Sequence, residues 1–345
     1  MCIRDSRMSR LRVSPISLVL AGATLLALFV FIAATTSSDD FLFIPDKAKP
    51  VATRVTVEGG REPDNGGGIY FVDVSLRKAR WLERLLPFLQ PDGSSLVPEH
   101  AVTPPGESFA EQRAQARVDM DRSEQVAAAV ALEAAGYHVK TRPTGVVVDG
   151  VASDVPAAAD LEQGDVIVGA AGKPVKTVAQ LRAVLAALAP GDSVSLRLRR
   201  GGETLERTVK TVRSPTDPKR AIVGISVSED AKIELPRKVN IDLGNIGGPS
   251  AGLPFALQVY QELGKDVDRG LRVAATGEIQ LDGSILPVGG LKQKTVGVRQ
   301  ANADVFLVPA GENAATARRY AGGLRIIPVE SFRQALRVLK TLPQK

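Results

Sequence analysis

Three kinds of hydrophobic pattern follow one another along the 345-residue chain. The first is unbroken: residues 16–34 (ISLVLAGATLLALFVFIAA) are 19 positions without a charge. A helix rising 1.5 Å per residue crosses a hydrocarbon core of about 30 Å with such a run. The second pattern mixes short alternating strands with one helix over roughly 137–213. The third, from about 221 to the end, alternates short apolar runs with helical spacing, as α/β segments do.

Within these patterns the elements are specific. VATRVTVEGG and GGGIYFVDVSL are expected to be two strands joined by the Gly- and Pro-rich turn EPDNGGG, and RKARWLERLLPFL a short helix stopped by Pro87. Met120, Val126, Val130 and Leu132 recur at helical spacing between 108 and 135. GVVVDGV reads as a strand, TVAQLRAVLAAL as a helix, and two alternating strands flank Arg200-Gly201-Gly202. SPTDPKR (214–220) reads as a Pro-rich linker. Strands are then expected at AIVGISVS, KVNIDLG, LRVAATGEI, ILPVGG, DVFLVPA and LRIIPV, and helices over 250–264, 291–302, 311–322 and the final SFRQALRVLKTL.

Charge around the apolar run sets an orientation. Arg4, Arg7, Arg10 and Arg12 precede it, and Asp39 and Asp40 follow. The positive-inside rule puts the N-terminus in the cytoplasm and the rest outside. A cleaved signal peptide is the competing reading, but its apolar region usually runs about 7–15 residues. The run is therefore expected to be an uncleaved anchor in the cell membrane. Residues 1–7 (MCIRDSR) fit no pattern, and Met8 begins a more ordinary basic leader.

Composition narrows the chemistry. The single cysteine, Cys2, excludes an intrachain disulfide and Cys-based metal sites. Two histidines, His100 and His138, exclude a His-rich metal site and disfavour a Ser–His–Asp triad. Aromatics at 4% are too few for a single-stranded nucleic-acid platform, and a net charge of +6 is modest. No metal, cofactor or nucleic-acid partner is expected.

Two short segments carry chemistry. In Gly247-Gly248-Pro249-Ser250-Ala251-Gly252 a serine stands among small residues at a predicted helix start. There it is either a nucleophile, with free first-turn N–H groups to hold an oxyanion, or simply the helix N-cap. The second segment runs from Thr276-Gly277-Glu278 to Leu291-Lys292-Gln293-Lys294. A serine needs a base, and with histidine scarce a lysine is the remaining choice. A lysine acts as a base only when burial disfavours its charged form. Lys292 and Lys294 point about 200° apart around a helix, so one is buried and one solvated; spacing does not say which.

Together, G-P-S-A-G, T-G-E and L-P-V-G-G-L-K-x-K resemble the proteolytic domain of the Lon family of Ser–Lys peptidases, over at least residues 221–340. The resemblance implies Ser250 as nucleophile, Lys294 as general base and Thr276 as the partner orienting the lysine. Gly248 and Ala251 would support an oxyanion hole of backbone N–H groups. The acidic residue often found before G-P-S-A-G is replaced by Gly247, with Asn245 the nearest polar side chain. Pro156-Ala157-Ala158, Leu161 and Gly164-Asp165-Val166-Ile167 resemble a bacterial PDZ domain, a module that captures extended peptides along a sheet edge. That resemblance places the groove between the strand near 145–148 and the helix 177–188, with Gly145, Val146 and Val147 as peptide contacts. A closed packing module is the alternative.

The expected organisation is α+β. A cytoplasmic basic leader (1–15) precedes a transmembrane helix (16–34) and a linker (35–50). The N-terminal part of a Lon-type domain (51–135), a PDZ-like domain (136–213) and a second linker (214–220) follow. The Lon-type α/β domain with the dyad (221–345) completes the chain, and the PDZ-like segment is inserted in or precedes it. The whole resembles membrane-anchored PDZ-containing Lon-like proteases. Polypeptide substrates are implied, with ring assembly by analogy. No G-x-x-x-x-G-K-[ST] loop occurs, so ATP is not expected as a partner. The competing functions are a catalytically inactive membrane-anchored PDZ scaffold and a protein that cleaves only itself.

Overall fold

The computed structural model describes residues 15–61, 65–102, 109–215, 217–242 and 249–345. Helix α1 (Pro15–Thr35) runs into strand β1 (Ser37–Pro45). Strands β2 (Lys49–Pro50), β3 (Val55–Val57), β4 (Gly68–Phe71) and β5 (Val74–Arg80) follow, then helix α2 (Trp81–Leu85), β6 (Ser95–Pro98) and the single turn α3 (Glu99–Val102). The long helix α4 (Phe109–Ala134) leads into β7 (Lys140–Val151), β8 (Val166–Ala170), β9 (Lys173–Pro174) and helix α5 (Val178–Leu185). Next come β10 (Ser193–Arg200), β11 (Glu203–Lys210), β12 (Val212–Arg213), β13 (Ala221–Ile222), β14 (Ile225–Glu234) and β15 (Val239–Ile241). The last third comprises α6 (Gly252–Glu262), β16 (Arg272–Ala275), β17 (Glu278–Ile279), β18 (Ile285–Leu286), α7 (Leu291–Gln300), β19 (Val305–Pro309), α8 (Glu312–Tyr320), β20 (Arg325–Val329) and α9 (Phe332–Thr341).

These elements make two compact units, Met1–Pro45 with Val74–Gly106, and Asp46–Asp73 with Glu107–Lys345. The first unit contains α1, long and apolar enough to cross a membrane, and a three-stranded sheet in the order β5-β1-β6. β1 is central there because it carries the buried pair Phe41 and Leu42.

In the second unit a mostly parallel sheet, ordered β2-β4-β16-β19-β20, lies between two helical layers. Alternate residues of its strands face opposite ways. Val273, Ala275, Val305 and Leu307 join α4, α6 and α9 in one core; Ala274, Phe306 and Val308 join α7 and α8 in the other. Burial on both faces explains why these strands read as continuous apolar runs. Between α4 and α6 the chain builds a second sheet, ordered β11-β10-β8-β7-β14, with its own core closed by Leu181 of α5.

Four expectations need correction. The segment 35–50 is not a linker: residues 37–45 form β1 at the centre of a sheet, and 49–50 form β2 at the edge of another. The runs 51–60 and 66–76 do not form a hairpin: β3 pairs with β15, and β4 pairs in parallel with β16. Residues 74–102 of the segment expected as the first part of the Lon-type domain (51–135) belong instead to the first unit, where Arg77–Arg80 are strand and not helix. The Pro-rich segment 214–220 is no linker; it closes a ribbon between β12 and β13, with Ser214 N–H donating to the Arg220 carbonyl.

Candidate active site

The chemistry-bearing side chains gather at the carboxyl end of β16, where open α/β sheets place their sites. Thr276 follows that strand directly, and its N–H donates to the Leu307 carbonyl of β19 at 3.0 Å. Ser250 sits in the 3-10 turn Pro249–Ala251. Its carbonyl accepts from Gly277 N–H at 2.9 Å and from Thr276 Oγ1 at 3.1 Å, while Leu253 N–H returns a bond to the Gly277 carbonyl at 3.0 Å. Gly277 has φ +152°, and a Cβ there would lie 2.7 Å from Ile285 Cγ2, so the serine turn docks against a position that only glycine fits. Ser250 is not the N-cap of α6; Ala251 holds that position, without a side-chain bond. Ala251 is buried, and Gly248, Gly247 and Asn245 lie outside the described residues.

Lys294 answers the question the spacing left open. It lies on the stripe of α7 that includes Leu291 and Val298, both core residues at helical spacing, and is itself 4% exposed. Lys292 is only half-buried and rests over the Tyr320 ring at 5.8 Å. Lys294 Nζ donates to Thr276 Oγ1 at 3.2 Å. Burial lowers its pKa from 10.5 to about 8, while the negative charge of Asp73 pulls the other way.

Asp73 was not among the residues singled out by the sequence. It follows β4 by two positions and is about a quarter exposed at its side chain. Burial raises its pKa, and repulsion from Asp46 raises it further. Burial would raise Asp46 as well, but hydrogen bonds from Lys49 and Asp73 outweigh it and hold that carboxyl below its usual range. Lys49 Nζ lies 2.7 Å from Asp46 Oδ2 and 3.8 Å from Asp73 Oδ1. A lone acid in the strand-like run GIYFVDVSL was the only signal for this cluster.

The expected peptide contacts are displaced. At Val146 and Val147 β7 is paired on both sides, with β8 and with β14, so these two residues offer no edge to an incoming strand, and Gly145 pairs with Asp230 of β14. The terminal strand of this sheet is β14. Between β14, α5 and the β17–β18 hairpin opens a cleft of about 710 Å³. Val178, Arg182 and Val227 line it from the PDZ-like side, and Leu281, Asp282 and Leu286 from the hairpin. The hairpin begins two residues after Thr276, so cleft and serine turn share one support.

The fold and site thus define an α/β domain with a serine–threonine–lysine cluster, interrupted by a small antiparallel sheet with its own core. Comparison with known families agrees: residues 118–211 match the PDZ domain, and residues 231–341 match the Lon protease (S16) C-terminal proteolytic domain. The chain therefore carries the domain pairing of a PDZ-containing Lon-like protease. Among curated proteins, Lon protease 2 of Bacillus subtilis (strain 168) is 33% identical over 108 residues, covering 31% of this chain and 18% of the relative. Lon protease of Chloroflexus aggregans is 31% identical over 145 residues, covering 40% of this chain and 17% of the relative. The matched region thus spans less than a fifth of these relatives. Among solved structures, the PDZ domain of an SdrC-like protein from Listeria monocytogenes is 26% identical, with a TM-score of 0.24, covering 26% of this chain and 92% of that one.

Proposed function

We propose that the chain is a membrane-anchored serine endopeptidase acting through Ser250 and Lys294, without ATP, on flexible or unfolded polypeptide segments. The observation that carries this reading is the buried Lys294 amine bonded to Thr276, whose hydroxyl is bonded in turn to the Ser250 backbone. An amine with a pKa of about 8 is neutral in a useful fraction of molecules near neutral pH. In the proposed reaction the neutral amine takes the Ser250 Oγ proton as the oxygen attacks the peptide carbonyl. Lys294 then gives that proton to the leaving amine, and water hydrolyses the ester by the same route. Backbone N–H groups at or next to Ser250 hold the oxyanion. Acyl transfer from Ser250 through Lys294 consumes no nucleotide in itself, which supports independence from ATP.

The PDZ-like sheet serves, in this reading, as the peptide-capturing module, with the terminal strand β14 and the cleft beside it receiving an extended segment. The helix Pro15–Thr35 serves as the anchor, with the remainder extracytoplasmic. The test is digestion of an unstructured protein by the full chain in detergent, with and without ATP. The reading requires cleavage in both conditions and none by Ser250→Ala. Cleavage strictly dependent on ATP refutes the independence, and equal cleavage by Ser250→Ala refutes the nucleophile. No cleavage at all, with peptide binding retained, favours the inactive scaffold.

A further inference from the structure

The first unit exposes apolar side chains just beyond its membrane-length helix. Phe88 is 79% exposed, Leu85 53%, Leu89 44%, Trp81 40% and Leu86 37%. Apart from the helix α1 itself, this is where the large exposed apolar residues of the described chain concentrate. A soluble surface rarely gathers so many without a partner. Their place in the fold indicates which partner. Trp81 N–H donates to the carbonyl of Thr36, the residue just after α1, and α2 packs beside α1. The patch therefore begins where the apolar helix stops. Within it the residue types are those of a bilayer interface: an indole with a polar edge, a phenyl ring and leucines, beside arginines. Arg84 lies over the Trp81 ring at 5.2 Å and pairs with Asp40 at 3.2 Å, which keeps its charge at the rim of the patch.

We propose that residues 81–89 form a second membrane contact, seated in the interfacial layer of the leaflet that α1 leaves. This rests on the anchor reading above. The occupant is the lipid surface, because the helix that would span the bilayer delivers the patch directly to it. With Trp81 and Phe88 embedded, the sheet β5-β1-β6 is held against the bilayer at two points, which fixes its tilt as well as its distance.

Trp81 is the only tryptophan in the chain, so its fluorescence reports on this patch alone. The full chain is placed in phosphatidylcholine nanodiscs at one chain per disc. The proposal requires a blue-shifted emission, quenched by lipids brominated near the headgroup and resistant to aqueous iodide. Phe88→Ser combined with Leu89→Ser should move the emission back toward that of water-exposed indole, while the chain stays in the disc. Emission quenched by iodide but not by brominated lipid, in a chain that remains in the disc, overturns the interfacial contact and leaves the anchor intact. Protection from iodide that appears only with two chains per disc assigns the patch to a second copy and also overturns it. A chain that does not enter the disc at all overturns both the contact and the anchor.

Discussion

Lys294 Nζ lies 3.2 Å from Thr276 Oγ1 as the donor. The threonine hydroxyl has one proton, and it is committed to the Ser250 carbonyl at 3.1 Å. Toward the lysine it can therefore only accept. A neutral amine held this way spends an N–H on Thr276 and keeps its lone pair for another hydroxyl, which is the state a base requires.

That polarity gives a pH profile. With an amine pKa of about 8, kcat/KM should rise as pH increases through about 8 and level off above it. Lys294→Arg, which stays charged, should be inactive throughout. A profile flat from pH 6 to 10 would count against Lys294 as the base.

The same shift appears in stability. The folded pKa of Lys294 is depressed below its ordinary 10.5, so between about 8 and 10.5 the unfolded chain binds more protons and the folded chain gains stability as pH rises. Below about 8 the cost of charging the buried amine is fully present. Lys294→Met should therefore be more stable than the parent at pH 7, by up to about 3 kcal/mol, and the gap should close across that window. Denaturant unfolding at pH 7 and pH 10 measures it.

Thr276→Val keeps the shape and removes both hydrogen bonds. The expected loss is in kcat, on the order of 100-fold, with KM little changed and Thr276→Ser recovering much of it. A pure folding defect would instead lower Tm, and the serine variant would then show no selective rescue.

The cleft beside β14 is acidic: Asp149, Glu229, Glu278 and Asp282 line it against the single base Arg182. Lysine-rich flexible substrates should be favoured over acidic ones. Reversing Glu229 and Asp282 to lysine should raise KM for a lysine-rich substrate about fivefold per site and leave kcat unchanged. An unchanged KM would place substrate entry elsewhere.

Gly297 lies one turn beyond Lys294 on α7, and a Cβ there would collide with the Asp46 carbonyl. Gly297→Ala should force α7 away from its seat, costing about 1–3 kcal/mol and lowering kcat through the displaced amine. A fall in Tm together with a fall in kcat is the expected pair of readouts.

How much of this was legible in the sequence depends on where the information lies. Helices α5, α7 and α9 were readable because their apolar stripes are local and periodic. The β10–β11 hairpin was readable from its Gly-containing turn, whereas LRVAATGEI, expected as one strand, is divided between β16 and β17. The Gly164-Asp165 motif read only as a pattern. The structure supplies its reason: Asp165 is fully buried and receives Arg200 at 2.6 and 2.7 Å and the Glu162 N–H at 3.0 Å. Pairings across long separations were not legible. β4 meets β16 some 200 residues later, and β7 is flanked by β14 rather than by open space, so the expected hairpin is absent and the strand expected to line a groove has no free edge at Val146 and Val147. Lys294 could not be chosen over Lys292 by spacing, since which stripe of a helix is buried is settled by what packs on it. Asp73 and Asp46 escaped notice because each is an ordinary acid in sequence, made unusual only by its neighbour.

The seating of Gly297 on Asp46 also decides how the gene should be trimmed. Ala48 N–H donates to the Gly297 carbonyl at 3.2 Å, and Lys49 and Pro50 complete the edge of the parallel sheet. A secreted version shortened to residue 51 would strip the backing from the lysine-bearing helix while leaving every motif intact. Expression plasmids for crystallisation or screening should open no later than codon 37, which also keeps β1 at the centre of its sheet.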